Sequence, residues 1–322
     1  MKAIVREKYG APGVLELKDV DRPVVDNDSV LVRVRAAGLN AYDWHMMRGS
    51  PYLVRMVAGL RKPKSIAMGM DLAGQVEAVG KNVTQFQSGD EVFGSRAGSL
   101  AEYVRGTSQS FAPKPAGLTF EQAAAVPMAA STALHGLRDK GQIKPGQRVL
   151  INGASGGVGT FAVQIAKAFG AHVTAVCSTR NVEQARSLGA DEVIDYTRED
   201  FTRNAQRYDL ILDVAASGSL SARLRVLEPN GTLVGVGSAD GYGMASLVAG
   251  LLETAVRSRF GKQKIPFFLS KNSKEALVVL KELIEAGKVR PVIDRTYPLS
   301  ETADAIRYLE KGHAQGKVVI TV

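Results

Sequence analysis

A buried strand, a glycine-rich turn and an amphipathic helix follow one another at residues 148–170, and no other stretch constrains the fold as strongly. RVLINGA (148–154) is apolar, the turn continues as SGGVG, and the helical segment ends at Gly170. A second apolar strand, HVTAVC, begins about 20 residues after the first. Glycines at such a crossing let backbone N–H groups approach a pyrophosphate, which the helix N-terminus also attracts. The pattern predicts a dinucleotide-binding βαβ unit; tight strand–helix packing alone is the alternative.

The end of the second strand indicates which dinucleotide binds. A unit that binds NAD usually carries Asp or Glu there, to hold the ribose 2′-hydroxyl. From Ala171 to Val182 the chain has no acidic residue, and the strand ends in Cys177-Ser178-Thr179-Arg180. A hydroxyl and a guanidinium bind a 2′-phosphate, whereas a carboxylate repels it. The sequence therefore favours NADP(H), with an exposed turn carrying an ordinary surface arginine as the alternative.

The remainder of the chain predicts an α/β protein with two kinds of domain. SVLVRVRAAG (29–38) alternates valine with arginine, as a half-buried strand does, and glycine-rich turns follow it. From Pro115 the chain becomes helical, with a break or kink at Pro127. Strands and helices then alternate, which is typical of a doubly wound parallel sheet. The further predicted strands of that sheet are EVIDY (192–196), LILDVAA (210–216) and TLVGVG (232–237), and the tail (GKVVITV) resumes strand character.

Cysteine content and charge exclude several classes of protein. The single cysteine, Cys177, excludes an internal disulfide framework and a Cys-rich zinc site. No apolar run reaches the roughly 18 residues of a membrane span, and MKAIVREKYG lacks the apolar core of a signal peptide, so a cytoplasmic protein is expected. The net charge is +9, and its densest basic stretch is RKPK (61–64). We favour a solvated loop there over a nucleic-acid or lipid-headgroup patch.

Motifs along the whole chain resemble those of the medium-chain dehydrogenase/reductase superfamily. The resemblance implies a GroES-like β-rich catalytic domain (1–121), a Rossmann NADP(H)-binding domain (122–263) and a return to the catalytic domain (264–322). The motifs are AAGLNAYDWH (36–45), GMDLAGQVEAVG (69–80), GDEVFG (89–94), PMAASTALHGL (127–137), INGASGGVG (151–159), LGADEVIDY (188–196) and GKVVI (316–320).

Two positions separate this chain from the zinc-dependent branch of the superfamily. That branch has a cysteine where this chain has Asn40, a histidine where it has Met70, and a four-cysteine structural lobe besides. The chain is similar instead to the zinc-free quinone oxidoreductase-like branch. This resemblance implies transfer of hydride from NADPH to a quinone or to the activated C=C bond of an α,β-unsaturated carbonyl, with no metal site.

The resemblance also assigns roles to individual residues. Asn40 is the leading candidate to contact the substrate or nicotinamide, Tyr52 is a candidate hydroxyl donor, and His45 is a candidate relay group. Loop-shaping, rim and structural roles are the respective alternatives, and Asp43 is expected to be a helix N-cap. Phe267 and Phe268 are candidates to line the substrate cleft. The residues expected to bind the cofactor are Thr132, Ser155, Gly156, Gly157, Val158, Gly159, Ser178, Arg180, Tyr196, Gly237, His313, Gln315 and Lys317.

Two other functions stay open at this point. One is an alcohol or aldehyde oxidoreductase, which Asn40 and Met70 disfavour. The other is a non-catalytic NADPH-binding protein, of crystallin-like or nucleic-acid-binding type. The expected partners are a small-molecule quinone or enone and, in view of the family, a second copy of the chain in a homodimer; neither a specific nucleic acid nor a membrane span is expected.

Overall fold

The computed structural model describes residues 1–216, 219–236, 262–266 and 273–322. These divide into two compact units. The first unit comprises Met1–Ser131, Lys271–Gly287 and Pro291–Val322, and the second comprises Thr132–Ser270 and Lys288–Arg290. The domain boundaries expected at residues 121 and 263 stay a prediction.

The strands of the described residues form three sheets, of which the smallest pairs the first two strands of the chain, and most strands coincide with an apolar or alternating run of the sequence. In chain order, those of the described residues are β1 (Lys2–Val5), β2 (Glu16–Asp19), β3 (Ser29–Leu39), β4 (Asp71–Val79), β5 (Glu91–Ser95), β6 (Tyr103–Thr107), β7 (Phe111–Pro113), β8 (Arg148–Asn152), β9 (His172–Cys177), β10 (Glu192–Asp195), β11 (Tyr208–Asp213), β12 (Leu227–Gly235), β13 (Ile293–Pro298) and β14 (Lys317–Thr321).

The break predicted at Pro127 is confirmed, because one helix ends before this proline and the next begins with it. At the first position of a helix the backbone N–H has no partner within the helix, so proline fits there. The described α-helices are α1 (Ala41–Arg48), α2 (Leu53–Ala58), α3 (Phe120–Ala124), α4 (Pro127–Leu134), α5 (Gly157–Ala168), α6 (Val182–Ser187), α7 (Leu220–Arg225), α8 (Lys274–Glu285) and α9 (Thr302–Glu310).

The first unit is built on a seven-stranded sheet in the order β13-β14-β3-β4-β5-β7, with β6 also paired to β3. The long strand β3 pairs antiparallel with β14, β4 and β6. Its valines are buried, whereas Arg33 and Arg35 are exposed, as the alternation predicts. Val30, Val32 and Val34 pack with Leu72, Phe111 and their neighbours into one core cluster. The carboxyl end of β3 leads directly into Asn40 and α1.

The second unit contains a five-stranded parallel sheet in the order β10-β9-β8-β11-β12. The strand order reverses at β8, which pairs with β9 on one side and β11 on the other. Such a switch point is where open α/β sheets bind ligands, at the carboxyl ends of the strands. The β-rich unit and the doubly wound sheet confirm the predicted α/β fold class.

Candidate active site

The glycine turn lies between β8 and α5, at the carboxyl end of the switch-point strand. Gly153 has φ +86°, in the left-handed region that favours glycine. The N–H of Gly153 and the N–H of Ala154 both donate to the carbonyl of Val176 in β9, at 3.2 and 3.0 Å. Helix α5 starts with Gly156 as its N-cap, and no side chain caps its first N–H groups. Ser155, Gly156, Gly157 and Val158 are half-buried in this turn, and Gly159 is buried.

Two glycines of the turn differ in how much room a side chain would find. A Cβ on Gly159 would lie 2.1 Å from the carbonyl oxygen of Gly153, so this glycine is required for the close crossing of strand and helix. A Cβ on Gly156 would meet nothing nearer than that same oxygen at 3.8 Å. Packing therefore does not explain a glycine at position 156, whereas the approach of a ligand to the backbone does. The turn fits the pyrophosphate of a dinucleotide.

Beyond the second strand, β9, lie the residues expected to bind the adenosine phosphate. Ser178 is half-buried, Arg180 and Tyr196 are exposed, and the Ser178 hydroxyl accepts a hydrogen bond of 3.1 Å from Nδ2 of Asn181. The backbone N–H of Tyr196 donates to the carbonyl of Cys177 at 3.0 Å, so β9 and the residue after β10 stay adjacent. The structure thus brings the ends of these two strands together.

A carboxylate that sequence reasoning missed lies at the same strand ends. Asp195 ends β10, directly beside Cys177, and accepts from the Thr179 and Thr197 hydroxyls at 2.5 and 2.7 Å. The Thr179 hydroxyl holds the pKa of Asp195 below its usual range. Arg198 Nε is 3.4 Å from the same carboxylate. The sequence holds the signal for it, because Asp195 belongs to the predicted strand EVIDY, whose parallel pairing with β9 places its carboxyl end here.

Asn40 lies in the first unit and joins two buried charged groups. Lys317 Nζ donates to Asn40 Oδ1 at 2.5 Å and to the Leu39 carbonyl at 2.7 Å. Asn40 Nδ2 donates to Asp71 Oδ2 at 2.9 Å and to the Gly38 carbonyl at 3.3 Å. The other oxygen of Asp71 accepts from the Ser95 hydroxyl at 2.7 Å. The ammonium and the carboxylate thus fix which way the amide faces, since its oxygen only accepts and its nitrogen only donates.

Burial sets the electrostatics of this cluster, which we call the Asn40 cluster (Asn40, Asp43, Asp71 and Lys317). Burial raises the pKa of Asp71, and the Lys317 ammonium opposes that rise. Burial lowers the pKa of Lys317, and the carboxylates of Asp71 and Asp43 oppose the decrease. The pKa of Asp43 is raised to about 7, again mainly by burial. Asp43 Oδ1 is buried without a hydrogen-bond partner among the described residues, which favours the protonated carboxyl.

The structure corrects one expectation in this region. The N-cap of α1 is Asn40 rather than Asp43, and Asp43 stands three residues later. The Asp43 carboxyl reaches back and accepts a 2.7 Å hydrogen bond from the backbone N–H of Asn40. It therefore stabilises the start of the helix from inside the first turn. Sequence reasoning also missed Asp71, although the motif GMDLAG contains it.

Tyr52 and His45 present different chemistry. Tyr52 is 59% exposed. His45 Nδ1 is 2.7 Å from the carbonyl oxygen of Ser50, and its ring stacks on Trp44. A carbonyl only accepts, so Nδ1 carries the proton and the neutral ring has an acceptor at Nε2. His45 donates a proton from Nε2 only as the imidazolium.

The remaining predicted residues are scattered over both units. Thr132 is half-buried in α4. Ahead of β14, His313 is exposed, and Gln315 is half-buried with its backbone N–H 3.0 Å from Asp294 Oδ2. Lys317, expected near the cofactor, has its ammonium buried in the Asn40 cluster. Gly237, Phe267 and Phe268 lie outside the described residues.

The described residues contain neither a metal-ligand cluster nor a membrane-spanning helix. In the described ranges, no three His, Cys, Asp or Glu side chains are grouped so as to hold a metal ion. No helix in that part of the chain has both the length and the apolar character needed to cross a bilayer.

Two family models match the chain. Residues 26–135 match the model described as alcohol dehydrogenase GroES-like domain, and residues 188–320 match the model described as zinc-binding dehydrogenase. Despite that second description, the chain has Asn40 and Met70 where the zinc-dependent branch is expected to have ligands.

Characterised proteins resemble the chain over nearly its whole length. The mitochondrial NAD(P)H oxidoreductase RTN4IP1 of Danio rerio is 35% identical, and the match covers 100% of this chain and 91% of that protein. The chloroplastic NADPH-dependent alkenal/one oxidoreductase of Arabidopsis thaliana is 34% identical, and the match covers 99% of this chain and 79% of that protein.

A solved structure shows the same architecture. The quinone oxidoreductase from Coxiella burnetii superposes with a TM-score of 0.87 at 31% identity, covering 100% of this chain and 99% of that one. Together with the two family models, the glycine turn at β8 and the residues that replace the zinc ligands, these matches identify the family. The chain belongs to the medium-chain dehydrogenase/reductase superfamily, in its quinone oxidoreductase-like branch.

Proposed function

We propose that this protein is a zinc-independent reductase that transfers hydride from NADPH to a quinone or to the activated C=C bond of an α,β-unsaturated carbonyl. The observation that carries the proposal is the glycine turn between β8 and α5, where position 156 has room for a side chain and carries none. The names of the relatives, an NADPH-dependent alkenal/one oxidoreductase and a quinone oxidoreductase among them, support both the cofactor and the two classes of acceptor.

The second unit supplies the groups that hold the cofactor. Backbone N–H groups from Ser155 to Gly159, at the start of α5, bind the pyrophosphate, because the helix N-terminus carries partial positive charge. Ser178 and Arg180 bind the 2′-phosphate, with Tyr196 beside them. The remaining proposed cofactor contacts are Thr132 and Gly237 of the second unit and His313, Gln315 and Lys317 of the first. When bound, NADPH supplies the hydride.

The first unit supplies the groups proposed to act on the acceptor. Reduction of an enone or quinone leaves an oxyanion, which needs hydrogen-bond donors and finally a proton. The Tyr52 hydroxyl is the donor we propose, since the side chain is exposed. His45 serves as a relay, accepting at Nε2 and donating when protonated. Both N–H groups of the Asn40 amide are already used within the protein, so any contact it makes to a ligand is through Oδ1.

Location and assembly are part of the proposal as well. We propose a cytoplasmic homodimer, built from the domains 1–121, 122–263 and 264–322. Its free cysteine, Cys177, is buried and suits a reducing compartment. The Danio rerio relative is mitochondrial and the Arabidopsis thaliana relative is chloroplastic, so cell fractionation is the direct test of location. Analytical ultracentrifugation tests the dimer.

Turnover of model acceptors tests the reaction. We expect NADPH oxidation with 9,10-phenanthrenequinone and with a short-chain enone, and little with simple aldehydes, because Asn40 and Met70 stand where the zinc-dependent branch is expected to have ligands for the ion that polarises a carbonyl. Aldehyde reduction that exceeds both other activities would instead support an alcohol or aldehyde oxidoreductase. Tight NADPH binding without turnover of any acceptor would support a binding protein.

Cofactor choice is tested separately at Arg180. An ionised hydrogen bond to phosphate contributes roughly 1.5–3 kcal/mol, so Arg180→Ala is expected to weaken NADPH binding about tenfold or more and NADH binding far less. Arg203→Ala is the matched control, an exposed arginine of the same unit that pairs with Asp200. Equal losses for the two cofactors in Arg180→Ala would contradict the assignment of the 2′-phosphate site.

A further inference from the structure

Helix α2 presents its apolar side chains to the outside of the protein. Leu53, Met56 and Val57 have the i, i+3, i+4 spacing of an amphipathic helix face, which ordinarily packs against a core, and Leu60 follows just beyond the end of the helix. Here all four are exposed, Met56 by 62% and Val57 by 79%. Six of the eleven large hydrophobic residues that are exposed in the described part of the chain lie between residues 52 and 66.

The opposite side of α2 holds the helix against the first unit. Arg55 Nε donates to the Gly49 carbonyl at 3.0 Å, and its guanidinium lies 4.7 Å from the centre of the Tyr9 ring. Ala58, three residues further along the helix, is buried. The arginine therefore faces inward and the apolar residues face outward, the reverse of the usual arrangement on a soluble helix.

The segment after α2 is fixed at several points. Tyr9 Oη donates to the Gly59 carbonyl at 2.7 Å, and the N–H of Lys64 donates to the Ala58 carbonyl at 2.7 Å. Further along, the N–H of Arg6 donates to the Ile66 carbonyl at 2.9 Å. These hydrogen bonds hold the segment in a conformation in which its large hydrophobic side chains are exposed. An exposed apolar patch of this kind marks an interaction site.

Positive charge surrounds these apolar residues. Residues 44–70 contain five Lys or Arg and no Asp or Glu. Arg61, Lys62 and Lys64 are exposed, and within the described residues none of them pairs with a carboxylate. Docking of this face on the same face of another copy would bring two such clusters together, which like-charge repulsion opposes. The charge calls for an anionic partner.

We propose that the α2 surface, defined as Leu53, Met56, Val57, Leu60 and Ile66 with Arg61, Lys62 and Lys64, docks the protein on an anionic lipid membrane. The apolar side chains enter the boundary between headgroups and acyl chains, and the basic side chains lie among the anionic headgroups. Side chains that project from a short helix suit the flat, deformable surface of a bilayer. The surface proposed is peripheral, and it does not depend on the reaction proposed above.

Vesicle co-sedimentation tests the proposal with the full chain. We expect binding to vesicles of phosphatidylcholine mixed with phosphatidylglycerol, weaker binding at high salt because the attraction is screened, and little binding to phosphatidylcholine alone. Each of Arg61, Lys62 and Lys64 that is replaced with alanine is expected to lower the partition coefficient roughly fivefold, and the triple variant about a hundredfold. The matched control replaces Lys81, Lys144 and Lys288, which are exposed and distant in sequence from the α2 surface, and is expected to bind almost as the wild type does.

The apolar half of the surface has its own matched pair. Val57→Glu is expected to weaken binding to anionic vesicles at least tenfold, whereas Val24→Glu, at a valine exposed to the same 79%, leaves it almost unchanged. Thermal unfolding of both variants checks that the fold is retained. Equal binding to neutral and anionic vesicles, equal losses for the two glutamate variants, or a dimer that Val57→Glu dissociates would each overturn the proposal.

Discussion

Asn40 carries no charge, yet its amide joins the ammonium of Lys317 to the carboxylate of Asp71. At the residue scale, this bridge explains how a lysine that is only 3% exposed is tolerated inside the first unit. The desolvation of each charge is offset by hydrogen bonds and by attraction to the other. The position at which the zinc-dependent branch is expected to have a metal ligand is thus occupied here by the centre of a hydrogen-bonded polar cluster.

Lys317→Met tests the balance of charge in the Asn40 cluster. The variant leaves Asp71 buried without its opposite charge, so the free energy of unfolding is expected to fall by about 3–5 kcal/mol. Urea denaturation followed by circular dichroism measures the change. Adding Asp71→Asn to this variant removes the uncompensated carboxylate, and we expect the double variant to be more stable than Lys317→Met alone.

Lys2→Met is the control for that experiment. Lys2 pairs with Asp19 at 2.6 Å, but both side chains are more than half exposed. Exposed ion pairs contribute about 1 kcal/mol or less, so this variant should unfold almost as the wild type does. Comparable losses at Lys2 and Lys317 would show that the buried cluster has no special energetic role.

Asp43 predicts how stability changes with pH. Its pKa is about 7 in the folded protein, against an ordinary value of 3.8. Between these values the folded protein keeps a proton that the unfolded chain has released, so a rise in pH favours unfolding. This group therefore contributes a decrease in the free energy of unfolding of up to about 4 kcal/mol from pH 4 to pH 7, and the decrease levels off above pH 7.

Asp43→Asn isolates that contribution, because asparagine keeps an oxygen that accepts from the Asn40 N–H. The difference in unfolding free energy, wild type minus variant, is expected to decrease from pH 4 to pH 7 in urea titrations and then to level off. A difference that stays constant over this range would show that Asp43 titrates alike in the folded and unfolded states.

At the scale of elements, the crossing of β8 and α5 separates packing from ligand binding. Gly159 is required because the helix passes close to the turn. Gly156 is the N-cap of the helix, and the space around it would accommodate a Cβ. The same crossing aims the start of α5 at the carboxyl end of the sheet, where the strand order reverses. In this turn Gly159 allows the close packing of strand and helix, and Gly156 leaves the backbone open to a ligand.

Alanine at each glycine distinguishes these roles. Gly159→Ala places a Cβ within 2.7 Å of Ala154 Cα and closer still to the Gly153 carbonyl, so we expect a loss of about 2 kcal/mol or more in unfolding free energy. Gly156→Ala should unfold as the wild type does and bind NADPH more weakly, as measured by quenching of protein fluorescence. Loss of stability in Gly156→Ala comparable to that in Gly159→Ala would assign both glycines to packing.

At the scale of the whole molecule, the chain has a single cysteine, Cys177. Cys177 ends β9 with 1% exposure, and burial raises the pKa of its thiol to about 11. A thiol in that state is a poor nucleophile and a poor metal ligand. We therefore expect no role for the Cys177 thiol in the proposed reaction.

Independence from zinc is the prediction at this scale. Elemental analysis of the purified protein should find zinc well below one atom per chain, and NADPH-dependent turnover should survive exhaustive chelation, because no Cys-rich ligand set exists in the sequence. The apo-stripped and zinc-supplemented samples serve as each other's controls. Activity that disappears with the metal and returns with zinc alone would contradict this prediction.

The turn at β8 shows what could be predicted from the sequence. Its strand, glycines and helix are local in the chain, and hydrophobic periodicity with glycine spacing identified them within a few residues. The break at Pro127 and the alternation in β3 were predicted for the same reason. The strand that follows α6 was also predicted, but the hydrogen bond between its last residue, Asp195, and Thr179 was not. That contact depends on the pairing between β9 and β10, which is not local in the chain.

The Asn40 cluster shows what the tertiary structure alone decided. Along the chain, Asp71 lies 31 residues from Asn40 and Lys317 lies 277 residues from it, and no local pattern links the three. They meet because β14 and β4 both pair with β3, which brings three distant segments to one place. By itself the sequence determined the fold class, the dinucleotide turn and the lack of a zinc ligand set, since these depend on periodicity, glycine spacing and composition. Which buried charges face one another, and which way α2 turns its apolar side, were decided by the three-dimensional packing of the chain.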